Sequence, residues 1–374
     1  IAEASLNNSM RSSQVSFVFS EDVAAFDLDD VSVSRGMLSN FSMVDARHFT
    51  ATVTAADGVS DTGAVSVGTA YTDTAGNRGV AGSGSVLIDT VHPTVVTRFL
   101  SAILSDSENS GLVTFEFSEA VAGFDIDDLM VTGGTLSNFT GSGATYAVTF
   151  NADDDRDDTG AVRVGTGFTD LAGNSGLSGE DTVTIDTRNP SVVIDFASAL
   201  LSDVNNTSKV TFEFTEDVID FDLNDVVSTG GTLSNLTGSG ATYSATFTAA
   251  DGVASTGSVT VGTGYRDVSG NNGMTGTEVV NVDTENPTPV VRFMTTTLSD
   301  QDNSSEVTFE FSEAVIGFTA SDVTVSGGRL SGFARIDSRH FTALFTASEG
   351  LDALGSVLSI THRFARLAGS GMEY

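Results

Sequence analysis

The stretch VTFEFSEAV, residues 113–121, alternates large apolar side chains with smaller or polar ones and ends beside an acidic turn. The phrase F-S/T-E-x-V within it occurs four times, at intervals of 98, 97 and 97 residues, starting at Phe19, Phe117, Phe214 and Phe311. A second phrase, D-T-x-x-P, recurs at 97-residue intervals, starting at Asp89, Asp186 and Asp283. A fixed period of this kind indicates four copies of one unit.

The repeat phrases divide the chain into four domains. We predict domains at 1–90, 91–187, 188–284 and 285–374, with the start of the first strand missing from the first domain and the last strand missing from the fourth. Each unit has enough apolar residues for its own core. We therefore expect separate domains in a row rather than one continuous stack of repeats.

Within a unit, β-branched and apolar residues alternate with polar ones, and turns such as TGG, TGSG and AGNSG interrupt them. In the second unit this pattern predicts seven strands near residues 94–99, 112–117, 129–132, 136–139, 145–150, 161–168 and 181–185. Seven strands are typical of a constant-type immunoglobulin-like sandwich. The predicted fold class is all-β, with four immunoglobulin-like β-sandwich domains in tandem forming an extended rod.

Composition excludes several classes of partner and several kinds of cross-link. The formal net charge is −34 and the chain has a single lysine, so nucleic acid and anionic membrane surfaces are not expected partners. No apolar run reaches the roughly 18 residues needed to span a bilayer, so direct membrane insertion is not expected either. A hydrophobic fraction of 40% is too high for a disordered acidic chain. There are no cysteines, which excludes disulfides and thiolate metal sites, and no Trp, so the core must be built from Phe, Val, Leu and Ile.

Acidic residues recur at positions that the sandwich topology brings to one end of each domain. The F-S-E strand end and the T-D-x-A-G-N loop share the end at which the chain enters, and the aspartate of D-T-x-x-P arrives there from the preceding domain. We therefore predict metal ligands at Asp73, Asp89, Glu119, Asp170, Asp186, Glu216, Asp267, Asp283 and Glu313, with further acids at Asp106 and Asp203. The Gly-Asn pair of the loop is expected to form the left-handed turn that presents the aspartate.

Electrostatics favours a calcium ion at such a junction. Two carboxylates about 4 Å apart repel by about 1 kcal/mol in water and about 4 kcal/mol at an effective dielectric near 20. Ca²⁺ accepts six to eight oxygen ligands in irregular geometry, whereas zinc prefers nitrogen or sulfur and Mg²⁺ requires a stricter octahedron. The alternative is that the aspartates only cap turns and that Glu119 and its equivalents pair with a backbone amide.

Other recurring acids have structural explanations. Asp30, Asp128, Asp225 and Asp322 are predicted to form side-chain-to-backbone turns, and the phenylalanines four residues before them, Phe26, Phe124, Phe221 and Phe318, to anchor the core. The loop NADDDRDDTG, residues 151–160, lacks the glutamate that closes an EF-hand loop and is predicted to be solvated.

The fourth unit departs from the pattern because FARLAGS puts Arg366 where the other units have the loop aspartate. Two alternatives follow. The third junction is poor in metal or built differently, or Arg366 pairs directly with Asp283 or Glu313 in place of the ion.

Together, the phrases F-S/T-E-x-V, F-x-x-x-D, G-T-L-S-N, T-D-x-A-G-N and D-T-x-x-P resemble the Ig-like extender repeats of large bacterial surface adhesins of the RTX and biofilm type. The resemblance implies a secreted, extracellular spacer on the bacterial cell surface. It would be monomeric, contact only neighbouring repeats of its own chain and calcium ions, and project a ligand-binding tip in cell adhesion or biofilm formation.

Enzyme chemistry is not expected, because the sequence has no nucleophile elbow, phosphate loop or histidine-rich cluster. The main alternative function is a glycan- or protein-binding adhesion module. A non-catalytic accessory region of a secreted enzyme is a third hypothesis.

Overall fold

The computed structural model describes residues 1–350, 356–360 and 365–366, the last two segments for their backbone only. It divides into two compact units, Ile1–Pro190 with Arg266–Gly273, and Ser191–Tyr265 with Met274–Tyr374. Over the described residues the secondary structure consists of β-strands and four 3₁₀ turns of three residues each. The all-β prediction is therefore confirmed.

The first repeat, in the first unit, has nine strands. They are β1 (Ser5–Leu6), β2 (Ser12–Val18), β3 (Val23–Ala24), β4 (Val31–Val33), β5 (Gly36–Asp45), β6 (His48–Ala55), β7 (Ser60–Val67), β8 (Thr72–Asp73) and β9 (Gly82–Asp89), with a 3₁₀ turn at Leu28–Asp30. One sheet has the order β2-β6-β5 and the other β1-β9-β7-β4, while β3 pairs with β8. β1 runs parallel to β9, and the other pairs are antiparallel.

The second repeat completes the same architecture. Its strands are β10 (Val95–Phe99), β11 (Ile103–Leu104), β12 (Ser110–Phe117), β13 (Val121–Ala122), β14 (Leu129–Thr132), β15 (Gly134–Ser142), β16 (Thr145–Ala152), β17 (Asp157–Val164), β18 (Thr169–Asp170) and β19 (Gly179–Asp186), with a 3₁₀ turn at Ile126–Asp128. The sheets have the orders β10-β12-β16-β15 and β11-β19-β17-β14, and β13 pairs with β18. This is the strand arrangement of a constant-type immunoglobulin domain.

All seven strands predicted for the second repeat are present. The strand predicted over 161–168 is β17, which lies earlier and ends at Val164, because the backbone N–H of Gly165 leaves the sheet and donates to the carbonyl of Asp128 at 2.8 Å. The short strands β11, β13 and β18 were not predicted.

The third repeat lies in the second unit, except for residues 266–273. Its strands are β20 (Val192–Phe196), β21 (Leu200–Ser202), β22 (Thr207–Ile219), β23 (Val226–Thr229), β24 (Gly231–Ala249), β25 (Ala254–Val261), β26 (Arg266–Asp267) and β27 (Gly276–Asp283), with a 3₁₀ turn at Leu223–Asp225. Within the second unit the sheets have the orders β20-β22-β24 and β21-β27-β25-β23. The strand β26 belongs to the segment assigned to the first unit.

The fourth repeat, also in the second unit, has eight strands among the residues described. They are β28 (Pro289–Phe293), β29 (Ser304–Phe311), β30 (Val315–Ile316), β31 (Val323–Ser326), β32 (Gly328–Arg335), β33 (His340–Ala347), β34 (Ser356–Ile360) and β35 (Ala365–Arg366), with a 3₁₀ turn at Ala320–Asp322. One sheet has the order β28-β29-β33-β32, β30 pairs with β35, and β31 pairs with β34.

Alternation along the strands places one side chain in two inside each sandwich. In β12, Val113, Phe115 and Phe117 are buried. The ladder partners of Val113 and Phe115 lie in β16, and that of Phe117 lies in β10. Phe124 packs edge-on against Phe117 with ring centroids 4.9 Å apart, and it also contacts Phe168 at 5.6 Å. Such aromatic pairs add about 0.5–1.5 kcal/mol beyond their buried area. Phe26, Phe221 and Phe318 are buried in the same way, so the predicted core anchors are confirmed.

The aspartate after each anchor shapes a tight turn. In the second repeat the backbone N–H of Asp125 donates to Oδ2 of Asp128 at 3.1 Å, which closes the 3₁₀ turn before β14. The same bond occurs in the other three repeats at Asp30, Asp225 and Asp322. The predicted side-chain-to-backbone turn is therefore confirmed.

Candidate metal centre

The loop T-D-L-A-G-N of the second repeat fixes one carboxylate in a buried position. Asp170 ends β18 and is 2% exposed. Its Oδ1 accepts from the backbone N–H of Asn174 at 2.8 Å, and its Oδ2 accepts from Nδ2 of Asn174 at 2.7 Å. Gly173 has a φ of 91°, a conformation that glycine adopts without strain, and so allows the chain to return over Asp170.

Two further carboxylates converge on Asp170 within the first unit. Asp89 is the last residue of β9 in the first repeat, and Glu119 follows β12 in the second repeat. Asp89, Glu119 and Asp170 each present an oxygen within 4.8 Å of the other two. The structure thus brings together three of the residues that the sequence predicted as ligands at the first junction.

The ionised form of the Glu119 carboxyl is disfavoured by its surroundings. Burial raises the pKa of its carboxyl, and the charges of Asp170 and Asp89 raise it further. Asp89 is held in place by weaker contacts, because its Oδ1 accepts from the backbone N–H of Val91 at 3.2 Å and its Oδ2 from the hydroxyl of Ser60 at 3.3 Å. The donor set consists of carboxylate oxygens only, which suits a hard divalent cation.

Asn174 links the two repeats without any metal. Its side chain is fully buried, its Nδ2 donates to the carbonyl of Asp89 at 2.9 Å, and its Oδ1 accepts from the backbone N–H of Asn8 at 2.7 Å. The prediction that the Gly-Asn pair serves the left-handed turn is therefore corrected, because Gly173 supplies the positive φ and Asn174 supplies the connecting hydrogen bonds. The recurrence of asparagine at the end of this loop was the feature of the sequence that could have predicted its separate role.

The same hydrogen-bond pattern recurs in the first unit around Asp186 and Asp267. Asp267 is 1% exposed, and Nδ2 of Asn271 donates to the carbonyl of Asp186 at 2.9 Å and to Oδ2 of Asp267 at 2.7 Å. The hydroxyl of Ser269 donates to Oδ2 of Asp186 at 2.5 Å. Glu216, the third residue predicted for this junction, is half-buried and belongs to the second unit.

Asp106 contributes to this region through its backbone. Its N–H donates to Oδ1 of Asn271 at 2.8 Å, as Asn8 does to Asn174. Burial, followed by the charge of Asp154, raises the pKa of the Asp106 carboxyl, while a hydrogen bond from Asn189 lowers it.

The acidic segment at 151–160 is a loop only over residues 153–156, because β16 continues to Ala152 and β17 begins at Asp157; this shorter loop is largely exposed, as predicted for a solvated loop. Asp153, Asp154 and Asp155 are all exposed. Arg156 pairs with the carboxylate of Asp158 beside them, which leaves the loop held by ordinary surface ion pairs.

The remaining predicted residues are more dispersed. Asp73 has the same loop contacts as Asp170. Its Oδ1 accepts from the backbone N–H of Asn77 at 2.8 Å, and its Oδ2 accepts from Nδ2 of Asn77 at 2.6 Å. These bonds lower the pKa of Asp73. Asp203 is exposed. Over residues 1–350, whose side chains are described, Asp73 and Asp203 belong to no cluster of three acids.

At the third junction, Asp283 and Glu313 are both half-buried within the second unit. Burial raises the pKa of Glu313, the charge of Glu285 adds to this effect, and Arg339 opposes it. The backbone of Arg366 pairs with Val315, but the question of whether its guanidinium replaces a metal concerns a side chain outside the described residues.

A threonine that sequence reasoning did not single out holds the base of the linker. Thr187 is 1% exposed, its Oγ1 accepts from the backbone N–H of Arg156 at 3.0 Å, and its hydroxyl donates to the carbonyl of Asp153 at 2.9 Å. Thr90 and Thr284 make the equivalent bonds. The recurring threonine of the phrase D-T-x-x-P was the feature of the sequence that could have predicted this role.

Comparison with solved structures finds tandem Ig-like proteins at low identity. Invasin, a bacterial integrin-binding protein, is 11% identical, with a TM-score of 0.32 and coverage of 92% of this chain and 78% of invasin. InvD of Yersinia pseudotuberculosis is 14% identical, with a TM-score of 0.30 and coverage of 76% and 97%. A D1–D4 ectodomain fragment of ICAM-5 is 14% identical, with a TM-score of 0.33 and coverage of 98% and 97%.

A search of curated proteins gives no match. Among the described residues, none of the helical segments has the length and apolar character needed to cross a membrane. Family comparison matches four consecutive segments, residues 1–88, 89–185, 186–282 and 283–371, to the family described as "Bacterial Ig-like domain". The chain therefore belongs to the bacterial Ig-like domain family, as four tandem copies that span almost its whole length.

Proposed function

We propose that this chain is a structural extender of a bacterial cell-surface adhesin, in which Ca²⁺ bound at the domain junctions restricts the orientation of one repeat relative to the next. The observation that carries the proposal is the convergence of Asp89, Glu119 and Asp170, which come from two different repeats, within 4.8 Å. Membership of the bacterial Ig-like domain family supports a tandem, non-catalytic role.

The carboxylates of the first junction need a counter-charge. Three ionised groups at these distances repel one another, and a divalent cation changes that repulsion into attraction. Asn174 already orients the carboxylate of Asp170 and the backbone of Asp89, so at least one of the three ligands is positioned before an ion arrives. Pre-positioned ligands lose little conformational entropy on binding.

The calcium affinity expected of such a site is modest but sufficient to stabilise the junction. Extracellular calcium modules have dissociation constants of about 10⁻⁴ to 10⁻³ M, and an ion at 100 times that constant stabilises the folded junction by about 2.7 kcal/mol. The proline two residues before each following strand, as in Pro93 before β10, limits the freedom of the short linker further.

We extend the proposal to Asp186, Glu216 and Asp267 because they occupy the same repeat positions. Asp283 and Glu313 occupy two of the three equivalent positions in the sequence, so we propose weaker calcium binding at the third junction. In this account the repeats act as a secreted spacer that projects a ligand-binding tip, and adhesion or biofilm formation is the process served.

The test is small-angle scattering of the whole chain in calcium and in EDTA, with circular dichroism as the check on folding. We expect EDTA to broaden the distribution of dimensions while the β-sheet signal stays constant. Asp73→Asn is the matched control, since Asp73 has the loop contacts of Asp170 and belongs to no cluster of three acids among the described residues. Scattering profiles that are identical with and without calcium would contradict the proposal.

A further inference from the structure

The third repeat has an open groove between its 3₁₀ turn and β24. The groove lies within the second unit and has a volume of about 470 Å³. Six of its lining residues, three aromatic or apolar and three polar, carry the argument: Phe221, Leu236, Tyr243, Asp222, Asn224 and Thr237. We refer to it as the Tyr243 groove.

One residue distinguishes this part of the third repeat from the second. Residues 229–243 are identical to residues 132–146 except at Leu236, where the second repeat has Phe139. The first and fourth repeats also have a phenylalanine at this position, Phe41 and Phe333. Only the third of the four repeats therefore lacks an aromatic ring here.

In the other repeats that ring covers an aromatic side chain of the same sheet. Phe139 stacks on Tyr146 with ring centroids 5.7 Å apart and an interplanar angle of 26°. The equivalent pairs in the first and fourth repeats have centroids 5.8 and 5.9 Å apart. Tyr243 keeps the edge contacts with Phe214 and Phe221, but within the described part of the chain no ring stacks on it. Tyr243 thus has a stacking position that its own repeat does not fill with a ring.

A second difference lies in the turn that lines the groove. Asn224 is found where the first and second repeats have Asp29 and Asp127. Its backbone N–H donates to Oδ1 of Asp222 at 2.6 Å, and its Nδ2 donates to Oδ2 of the same carboxylate at 3.1 Å. Asp222 and Asn224 are both exposed. An amide, which donates and accepts hydrogen bonds, and a carboxylate, which accepts them, therefore lie beside the aromatic wall of the groove.

We propose that the Tyr243 groove binds a neutral pyranose ring of a glycan. The C–H groups on one face of a pyranose carry partial positive charge and pack on the electron-rich face of an aromatic ring. The sugar hydroxyls then bond Asp222 and Asn224 at the polar part of the groove. Acidic sugars are disfavoured, because the exposed carboxylates of Asp220 and Asp222 flank Phe221 and repel another carboxylate.

The polar residues favour a sugar over an aromatic side chain of a protein partner. An aromatic side chain would also stack on Tyr243, but it would remove water from Asp222 and Asn224 without offering them hydrogen bonds, which costs free energy. None of the proposed calcium ligands lines the groove, so the inference goes beyond the spacer function and does not depend on it.

The test uses fluorine NMR of the whole chain labelled with fluorotyrosine, which suits a sequence with five tyrosines. Tyr243→Phe identifies the signal of Tyr243. The methyl pyranosides of glucose, galactose, mannose and N-acetylglucosamine are titrated separately, in calcium and in EDTA. We expect at least one of them to shift the Tyr243 signal saturably in both conditions, with a dissociation constant on the order of millimolar because a single ring makes few contacts. The signal of Tyr146, which Phe139 covers, should not move.

Leu236→Phe is the decisive variant, because it makes residues 229–243 identical to 132–146 and so introduces a side chain that the second repeat already accommodates. We expect it to weaken binding about tenfold or more, since the new ring competes for the stacking position. Asn224→Asp should weaken binding about fivefold, because it removes a donor and adds a charge.

The matched gain-of-function variant carries Phe139→Leu and Asp127→Asn together. These two changes give the second repeat the residues of the third at both distinguishing positions. We expect the same pyranoside to shift the Tyr146 signal in this variant.

Three outcomes would overturn the proposal: no shift of the Tyr243 signal by any of these pyranosides at tens of millimolar, equal binding by Leu236→Phe and the unsubstituted chain, or equal binding of the methyl glycosides of glucose and glucuronic acid. Tighter binding of benzyl alcohol than of every pyranoside would also overturn it, and would assign the groove to an aromatic side chain of a protein partner instead.

Discussion

Replacing Asp170 by asparagine should change stability in opposite directions with and without calcium. The substitution keeps the size of the side chain and removes one of the three charges that converge at the first junction. Without calcium it relieves repulsion from Asp89 and Glu119. With calcium it removes a proposed ligand.

The magnitudes follow from the geometry. The oxygens lie within 4.8 Å of one another, and at that limit two unit charges repel by about 0.9 kcal/mol in water and about 3.5 kcal/mol at an effective dielectric of 20. Asp89 and Glu119 are only half-buried, so we expect the relief of repulsion to total about 1–3 kcal/mol in EDTA. The new amide cannot accept both bonds from Asn174, a loss that Asp73→Asn shares, so the relief is measured relative to that control. In saturating calcium the unsubstituted chain gains about 2.7 kcal/mol at 100 times the dissociation constant, and Asp170→Asn loses that gain.

Asp73→Asn controls for the loop itself, because Asp73 accepts the same two bonds from Asn77 that Asp170 accepts from Asn174. Native-state hydrogen exchange of residues 165–178, and of 68–81 for the control, measures local stability in each condition. The reasoning is refuted if Asp170→Asn and Asp73→Asn have the same effect in EDTA and in calcium.

Three further predictions concern the buried hydrogen bonds and the raised pKa. Thr187→Val should destabilise the second repeat by about 1–3 kcal/mol in urea unfolding, because it leaves the N–H of Arg156 without its acceptor; unchanged unfolding would contradict this. The pKa of Glu119 is raised above 4.5, so metal-free stability should fall as pH rises from 4.5 through the raised value, since only the native state keeps the proton in that window. Glu119→Gln should make this slope shallower by the contribution of one group, because Asp106 and Glu313 also have raised pKa values, and an unaltered slope would count against the prediction. Asn174→Ala should speed proteolysis of the linker at residues 89–93 even in EDTA, because it removes the hydrogen bonds to Asp89 and Asn8. Asn77→Ala removes contacts only within its own loop and should leave the cleavage rate unchanged. Equal cleavage of the two variants would contradict a link between the repeats that is independent of metal.

The strands and core could be predicted because short-range patterns determine them. Alternation in VTFEF places Phe115 and Phe117 inside, and the anchor Phe124 is buried as the repeat pattern predicted. The two-residue strands β11, β13 and β18 were missed because pairs of this length have no periodicity of their own. They form only when the complete sandwich brings their partners alongside.

Convergence of the junction acids followed from the order of the repeats, since the chain passes from the end of β9 directly into the second repeat, where Glu119 follows β12 and Asp170 ends β18. The role of Asn174 did not follow, because a Gly-Asn pair is also the usual signal for a turn. Its bonds to Asp89 and Asn8 depend on how one repeat meets the next. The role of the buried Thr187 hydroxyl could not be predicted either, because its hydrogen-bond partners, Asp153 and Arg156, lie about 30 residues earlier in the sequence.

Direct measurement of bound calcium tests the central claim most simply. Equilibrium dialysis against calcium at several millimolar, followed by elemental analysis, gives the number of ions per chain for the unsubstituted protein, Asp170→Asn and Asp73→Asn. We predict that Asp170→Asn binds one ion fewer than the unsubstituted chain and that Asp73→Asn binds the same number. Equal calcium content in all three, or none in the unsubstituted chain, would contradict the account.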